Sequence, residues 1–370
     1  MQRAIYMDWN ATAPVHPAAR AAMLAALEDC GNPSSVHRFG RRARKCVEDA
    51  RSALAALVGA KVENIVFTAS GTEANALMLA NRGERRLIVS AIEHDSVLKP
   101  AQGSATINVD RNGVVDLDHL QSLLTVDSRP ALVSLMLANN ETGVIQPIAQ
   151  AAEIAHAHGA LLHVDAAQAI GRIPVALGAL QADFVTVSGH KFGAPQGVGA
   201  LIAANSTPQI VPLLQGGGQE RNRRAGTENV PAIAGLGAAI AALEPADAAE
   251  IGSLRDALEQ RLVAADRSVL VFGSGASRLA NTLCFTAGEK SAETLVMAFD
   301  LAGIAISAGS ACSSGKVKPS QVVTAMGFDR DVASRAIRVS LGRDNTAADI
   351  DAFFSAWQRI HAPRQMTAAA

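Results

Sequence analysis

A lysine near position 190 follows a short run of residues that favours a buried strand. Residues 184–188 are rich in β-forming side chains, and glycines bracket Lys191 directly after them. Ligands of open α/β sheets bind at the carboxyl ends of strands, so Lys191 is placed to meet one. The amine of such a lysine can form an imine with an aldehyde, as in enzymes that use pyridoxal phosphate (PLP). The alternative is an ordinary solvated lysine.

A carboxylate at the end of a second predicted strand favours the PLP hypothesis. Residues 161–165 form this strand, which ends in Asp165 about one βα unit before Lys191. PLP needs a carboxylate on its pyridine nitrogen, because the protonated ring is the better electron sink. Asp165 is the candidate for that role.

A small-residue turn between a strand and a helix is a candidate phosphate site. The strand at 64–67 is followed by Ser70, Gly71 and Thr72, where a helix begins. Free backbone N–H groups and the helix dipole favour an anion there, and Gly71 allows close approach. The alternative is an ordinary helix N-cap formed by Ser70 or Thr72.

Three further polar residues follow predicted strands. His94 comes just after the strand at 86–89, and Asn139 and Asn140 come just after the strand at 131–137. His94 could stack on a flat heterocycle, although a surface or helix-capping histidine is the simpler explanation. The asparagines fit either plain turn chemistry or contact with an oxygen of a cofactor.

One cysteine differs from the other three in its surroundings. Cys312 lies in residues 307–315, of which eight out of nine are Ser, Ala or Gly, so little apolar surface holds this loop in place. We therefore expect a mobile loop with an exposed and reactive Cys312. The alternative is a loop cysteine without a role. The other cysteines lie in apolar or helical settings and are most simply inert.

The order of predicted elements indicates an α/β protein with a second, smaller part. Strands alternate with helices as far as Lys191, which predicts a mostly parallel sheet with helices on both faces. After about residue 264 the pattern changes to that of a smaller α+β domain. We predict a large domain over 14–250 and a small domain over 1–13 and 251–370, which carries the cysteine loop at about 307–318.

Composition restricts the classes of function. The chain has 370 residues with 33 basic against 34 acidic side chains, so it has no strong field for nucleic acid or acidic membranes. No run of 18 apolar residues occurs, and the first eight residues lack the apolar core of a signal peptide, which predicts a cytoplasmic protein. The cysteines have no CxxC spacing, so neither a zinc site nor a disulfide framework is indicated.

Taken together, these motifs resemble the cysteine desulfurases, PLP enzymes of the class V aminotransferase superfamily with fold type I. The matching stretches, in the family's order, are 6–12, 32–37, Glu93-His94, 139–141, 163–168, Ser188-Gly189-His190-Lys191, 224–227 and Ser310-Ala311-Cys312, followed by Arg338. Arg338 comes 26 positions after Cys312. That long spacing resembles the branch that includes NifS and IscS, which hand sulfur to iron–sulfur scaffold proteins.

The resemblance implies a role for each matching residue. Lys191 would hold PLP as a Schiff base and move the substrate's α-proton, and Asp165 would pair with the pyridinium. Gln168 and Asn140 would lie by the phenolic oxygen, while His94 would stack on the ring and act as an acid or base. The phosphate ligands would be Gly71, Thr72, Ser188, His190 and, from the partner subunit of a homodimer, Thr227. Arg338, helped by Asn32, would bind the substrate carboxylate.

The implied reaction removes sulfur from L-cysteine. The Cys312 thiolate would attack the substrate's sulfur, which leaves a persulfide on Cys312 and releases L-alanine. An iron–sulfur scaffold protein would accept the sulfur, and the resemblance allows Cys312 to be a metal ligand of a transient [2Fe-2S] cluster shared with that scaffold. A selenocysteine lyase or a class V aminotransferase is the alternative within the same fold. From another class, a catalytically silent binding protein would not need Lys191, Asp165 and Arg338 together.

Overall fold

The computed structural model describes residues 4–204, 210–244, 247–286, 288–309 and 318–361. Among these residues, every helix is too short or too polar to cross a lipid bilayer. The chain forms one large sheet flanked by helices, a four-stranded sheet and a two-stranded sheet.

The elements have the following bounds. The strands are β1 (Ile5–Tyr6), β2 (Ile65–Thr68), β3 (Arg86–Ser90), β4 (Ala105–Ile107), β5 (Ala131–Met136), β6 (Leu161–Asp165), β7 (Phe184–Ser188), β8 (Gly199–Ala203), β9 (Leu270–Val271), β10 (Thr282–Thr286), β11 (Ile304–Ala305), β12 (Ser307–Ala308) and β13 (Ile337–Ser340). The α-helices are α1 (Pro17–Glu28), α2 (Arg38–Val58), α3 (Gly71–Ala80), α4 (Asp95–Leu98), α5 (Leu117–Val126), α6 (Ile148–Ala157), α7 (Leu177–Leu180), α8 (Gln219–Asn222), α9 (Val230–Ala241), α10 (Asp247–Ala265), α11 (Ala292–Leu301), α12 (Gln321–Ala325), α13 (Arg330–Ser334) and α14 (Ala347–His361).

The large sheet has seven strands in the order β2-β8-β7-β6-β5-β3-β4. The pairs β3–β4, β3–β5, β5–β6 and β6–β7 are parallel, while β8 runs antiparallel to both β2 and β7. The predicted mostly parallel sheet is therefore confirmed. β5 and β7 are buried along their whole length, as expected for strands covered on both faces.

Local sequence determines where the helices that flank this sheet begin and end. α2 begins after His37, whose Nδ1 accepts the Gly40 N–H, and it ends at Gly59 in the left-handed conformation. α3 begins after Ser70, whose hydroxyl accepts the Glu73 N–H at 3.1 Å. The Ser70 cap therefore fixes the first turn of α3 directly beyond the end of β2.

A second apolar core lies around the four-stranded sheet β12-β13-β10-β9. Met7 near the start of the chain packs in it together with side chains of β10, α11, β13 and α14. β1 pairs in parallel with β11, and Asp8 forms a bridge with Ser340. The predicted domain bounds, 14–250 against 1–13 and 251–370, stay a prediction.

Candidate active site

A cavity of about 350 Å³ lies where several strands of the large sheet end. Its lining includes residues that the sequence singled out: Gly71, Thr72, His94, Asn140, Asp165, Gln168, Ser188, His190, Lys191 and Arg338. Asn10, Ala11, Asn75, Ser96 and Gly309 also line it. Residues up to 328 positions apart in the sequence, Asn10 and Arg338, thus meet in one cavity of the size that binds small molecules.

Lys191 ends a single 3-10 turn that follows β7 directly. Its Nζ donates hydrogen bonds to the backbone carbonyl oxygens of Asn10 at 2.7 Å and Ala11 at 2.9 Å. Partial burial lowers the pKa of Lys191 to about 8, and the positive charges of Arg338 and Arg172 contribute to that shift. A larger fraction of the amine is therefore neutral, and nucleophilic, near neutral pH.

Asp165 ends β6, and both of its carboxylate oxygens accept hydrogen bonds. Oδ1 accepts the Ala167 N–H at 3.0 Å, and Oδ2 accepts the Asn75 side-chain amide at 2.8 Å. Asp165 is buried, so these bonds hold the carboxylate in one orientation. Sequence reasoning missed Asn75, although a single amide in the apolar run of α3 was a signal for it.

The predicted phosphate ligands surround the beginning of α3. A Cβ atom on Gly71 would lie 3.0 Å from the Cβ of Ser188, so glycine keeps this part of the cavity open. His190 Nδ1 is 3.1 Å from the Thr12 hydroxyl. Burial and the neighbouring Lys191 lower the pKa of His190 to about 4, so its ring is neutral at pH 7.

Arg338 in β13 reaches the cavity from the small sheet. Its Nη2 donates to Asp8 Oδ1 at 2.7 Å, and its Nη1 donates to the Asn140 carbonyl oxygen at 2.9 Å. Its Nε is buried and has no hydrogen-bond partner among the described residues. A buried donor without a partner is costly, so a ligand oxygen at this position would be stabilising.

His94 and Gln168 both line the cavity but differ in exposure to solvent. His94 is exposed, and its Nδ1 is 2.8 Å from the Ser96 hydroxyl. Gln168 is buried, donates through Nε2 to the Asn10 carbonyl oxygen at 3.0 Å and accepts from Arg172 through Oε1. Asn10 and Arg172 were not predicted as site residues, because irregular and turn segments carry no periodic signal.

Two buried carboxyl groups line a second, smaller cavity that shares His94, Asn140 and Gly309 with the first. Burial raises the pKa of Glu93 to about 8, and Glu93 Oε1 accepts from the Ser90 hydroxyl and the Met136 N–H. Burial likewise raises the pKa of Glu141 to about 7, with the Ser320 hydroxyl donating to it at 2.5 Å. Glu93 is therefore mostly protonated at pH 7.

Three predicted site residues are not in the cavity lining. Asn32 is exposed, and its Oδ1 accepts the Ser34 N–H at 2.9 Å. Thr227 is exposed and lines a separate, smaller cavity with Phe67. Cys312 lies outside the described residues, as does most of the predicted mobile loop. The roles of all three stay predictions. In the described part of the chain, no group of three or more His, Cys, Asp or Glu side chains could hold a metal ion.

The residues of the cavity fit PLP. A lysine amine with a lowered pKa faces the same space as a fixed, buried carboxylate, while a glycine turn at a helix N-terminus offers N–H groups. The unpartnered Nε of Arg338 adds a donor for an acidic substrate. These four features suit an aldehyde, a pyridine nitrogen, a phosphate and a carboxylate, respectively.

Comparisons with known proteins agree with this chemistry. Residues 5–353 match the family described as aminotransferase class-V. The chain is 41% identical over 362 residues to a cysteine desulfurase of Cereibacter sphaeroides, with 94% of this chain and 93% of that protein covered. It is 39% identical to the cysteine desulfurase IscS of Dictyoglomus turgidum, with 97% and 95% covered.

Solved structures give the same result. A NifS-like protein from Rickettsia africae superposes with a TM-score of 0.90 at 37% identity, over 97% of this chain and 99% of that one. A cysteine desulfurase from Thermococcus onnurineus superposes with a TM-score of 0.85 at 25% identity, over 96% and 94%. The predicted fold and resemblance are confirmed: the chain belongs to the class-V aminotransferase family, among its cysteine desulfurases.

Proposed function

We propose that this protein removes sulfur from L-cysteine with PLP held on Lys191, and that Cys312 receives the sulfur as a persulfide. The observation that supports the proposal most strongly is the shared cavity of Lys191, Asp165 and Arg338. An amine for the cofactor, a carboxylate for its ring and a guanidinium for an amino-acid carboxylate are the three groups that such a reaction requires.

Each of these residues has a distinct task in the proposal. Asp165 keeps a proton on the pyridine nitrogen, and Arg338 binds the substrate carboxylate and so orients its α-carbon. When bound, PLP supplies the electron sink that acidifies the α-proton of the substrate. Lys191 takes this proton at Nζ, a role for which a pKa of about 8 is suitable.

The remaining parts of the cavity hold and orient the cofactor. Gly71, Thr72, Ser188 and His190 would bind the phosphate, while His94 would stack on the ring. Gln168 and Asn140 would lie by the phenolic oxygen. A homodimer in which Thr227 of the partner subunit completes the phosphate site belongs to the same proposal.

Sulfur transfer requires Cys312. Its thiolate would attack the substrate sulfur, so that an S–S bond forms while the C–S bond breaks and its electron pair, with a proton, remains on the carbon of L-alanine. The terminal sulfur would then pass to an acceptor thiol. An iron–sulfur scaffold protein is the proposed acceptor, with a transient [2Fe-2S] cluster on Cys312 as cargo.

The proposal is tested by an anaerobic assay with L-cysteine and a reductant that quantifies sulfide and alanine. We expect a yellow protein with absorbance at roughly 390–420 nm that produces both in equal amounts. The Cys312→Ala variant should keep the colour and lose the turnover. The buried Cys284→Ala variant is the matched control and should stay active.

Other outcomes would assign other functions. Turnover that survives Cys312→Ala, with selenocysteine or a keto acid as the better substrate, would indicate a selenocysteine lyase or an aminotransferase. A colourless protein that PLP does not reconstitute would refute the proposal.

A further inference from the structure

Asn75 is a buried amide in a helix that is otherwise apolar where it faces the sheet. It lies one turn after Gly71 in α3 and is 1% exposed. Both N–H groups of its amide are used within the site: Nδ2 donates to Asp165 Oδ2 at 2.8 Å and to Ser96 Oγ at 2.9 Å. A single side chain thus contacts two different parts of the cavity wall.

The buried amide is not explained by the packing of α3 alone. Its Oδ1 is buried and has no hydrogen-bond partner among the described residues. An apolar residue at this position would avoid that cost, since burying an unsatisfied polar atom is unfavourable. The two N–H donors are therefore the property that distinguishes asparagine here from the leucine and methionine that follow it in α3.

The second N–H donor extends the contact to His94. The Ser96 hydroxyl accepts from Asn75 and is 2.8 Å from His94 Nδ1, while the Ser96 backbone N–H also donates to that nitrogen at 3.1 Å. Because Nδ1 faces these donors, it is the acceptor of the ring, and the proton of a neutral His94 lies on Nε2. Orientation of the ring is thereby linked to Asn75.

We propose that Asn75 is a positioning residue, which holds the carboxylate of Asp165 and, through Ser96, the ring of His94 as one unit. This inference rests on the proposed function, in which Asp165 pairs with the pyridine nitrogen and His94 stacks on the ring. In this proposal Asn75 acts through Asp165 and Ser96, not on the substrate itself. Its removal should weaken cofactor binding through Asp165, not through a general loss of structure.

The first test is PLP binding to the apoprotein, followed by absorbance. We expect Asn75→Ala to raise the Kd for PLP by about tenfold or more, the effect of losing a hydrogen bond to a buried charge. Asn81→Ala is the matched control. Asn81 is the residue at the C-terminal end of α3, and its amide donates to the carbonyl oxygens of Leu77 and Val211 instead of to cavity residues. The control should change the Kd by less than about twofold.

A double-mutant cycle separates positioning from structure. In a background that carries both Asp165→Ala and His94→Ala, Asn75→Ala should have an effect on the Kd of less than about twofold, because both residues that it orients are gone. Equal effects in both backgrounds, or no effect in either, would overturn the inference. A wild-type protein that does not bind PLP would overturn both this inference and the proposed function.

An isosteric variant keeps the test valid if Asn75→Ala does not fold. Asn75→Asp retains the side-chain volume and brings a second carboxyl group next to Asp165, so the pair should share one proton. We expect PLP binding close to wild type at pH 6 and at least about tenfold weaker at pH 8.5. Lys191, Glu93 and His163, the other titratable neighbours of Asp165, are unchanged in both proteins. A pH-independent effect would contradict the inference.

Discussion

At the scale of single residues, Lys191 shows how the surroundings of a side chain set its reactivity. Its ammonium group rests on two backbone carbonyl oxygens, and no carboxylate is its hydrogen-bond partner in the described part of the chain. Partial burial together with Arg338 and Arg172 outweighs the attraction of Asp8 and Asp165, so the pKa falls to about 8. In the proposed function, this lowered pKa favours attack of the neutral amine on the aldehyde of PLP.

The pKa of Lys191 predicts how fast the apoprotein captures PLP at different pH values. Because only the neutral amine attacks an aldehyde, the capture rate should rise with pH around a midpoint near 8 and level off by about pH 9. Stopped-flow absorbance measures the rate, and a free alkylamine measured in parallel corrects for ionisation of PLP itself. Arg338→Gln should move the midpoint upward. A wild-type rate that still climbs above about pH 10 would contradict this account.

At the scale of elements, the beginning of α3 is held in place by a close approach of β8. A Cβ atom on Gly199 would lie 2.6 Å from the carbonyl carbon of Ser70, 2.8 Å from the Val187 oxygen and 2.9 Å from the Gly71 nitrogen. All three are backbone atoms, so they could make room only by moving the turn that we propose for the phosphate.

Gly199→Ala should therefore weaken PLP binding as well as the fold. We expect the Kd for PLP to rise about tenfold and the free energy of unfolding to fall by about 1–3 kcal/mol, as for other overpacked sites. Gly178→Ala is the control, because no heavy atom lies within 4 Å of its added Cβ and it should change the free energy by less than about 1 kcal/mol. PLP titration and urea unfolding check both values, and wild-type binding by Gly199→Ala would disprove the assignment.

The sequence predicted strands well where burial alone decides them. β6 and β7 have the predicted bounds, since each is a run of β-forming residues that is buried along most or all of its length. In the part of the chain predicted as a smaller α+β domain, residues 304–308 form two short strands, β11 and β12, which pair with β1 and β13 in different sheets. The short β8 was missed, because the glycine-rich stretch before it resembles a loop.

The site could be predicted in part for the same reason. Residues that follow parallel strands meet at one edge, so Lys191, Asp165 and His94 could be expected together. The contact of Asn75 with Asp165 and that of Arg338 with Asp8 depend on how α3 and the small sheet pack. Neither contact leaves a periodic signal in the sequence.

At the scale of the whole molecule, the buried carboxyl groups beside the cavity affect stability. The pKa of Glu93 is about 8 in the folded protein, against an ordinary value of 4.5. The folded state therefore binds this proton more tightly than the unfolded state, so its contribution to stability is complete below about pH 4.5 and is lost as the pH rises towards 8.

Glu93→Gln should make the stability of the protein less dependent on pH. The variant keeps an oxygen for the Ser90 and Met136 donors, and its amide replaces the protonated oxygen. Urea unfolding of the apoprotein at pH 5, 6.5 and 8 should show wild type losing more stability than the variant, by an amount on the order of a few kcal/mol. The exposed Glu153→Gln is the control and should parallel wild type. Parallel curves for Glu93→Gln would show that Glu93 does not carry this dependence.

The ribosome makes β1 and Asp8 long before it makes the segments with which they pair. β1 pairs with β11, which is synthesised about 300 residues later, and Asp8 accepts a hydrogen bond from Arg338, which is synthesised later still. A nascent chain that already includes Lys191 and Asp165 still lacks β13, the strand that brings Arg338 to the cavity. Domains fold as units during synthesis, so the large sheet can form first while β1 and Asp8 still lack their partners. The cavity that we propose for PLP is therefore complete only after β13, which carries Arg338, has been synthesised.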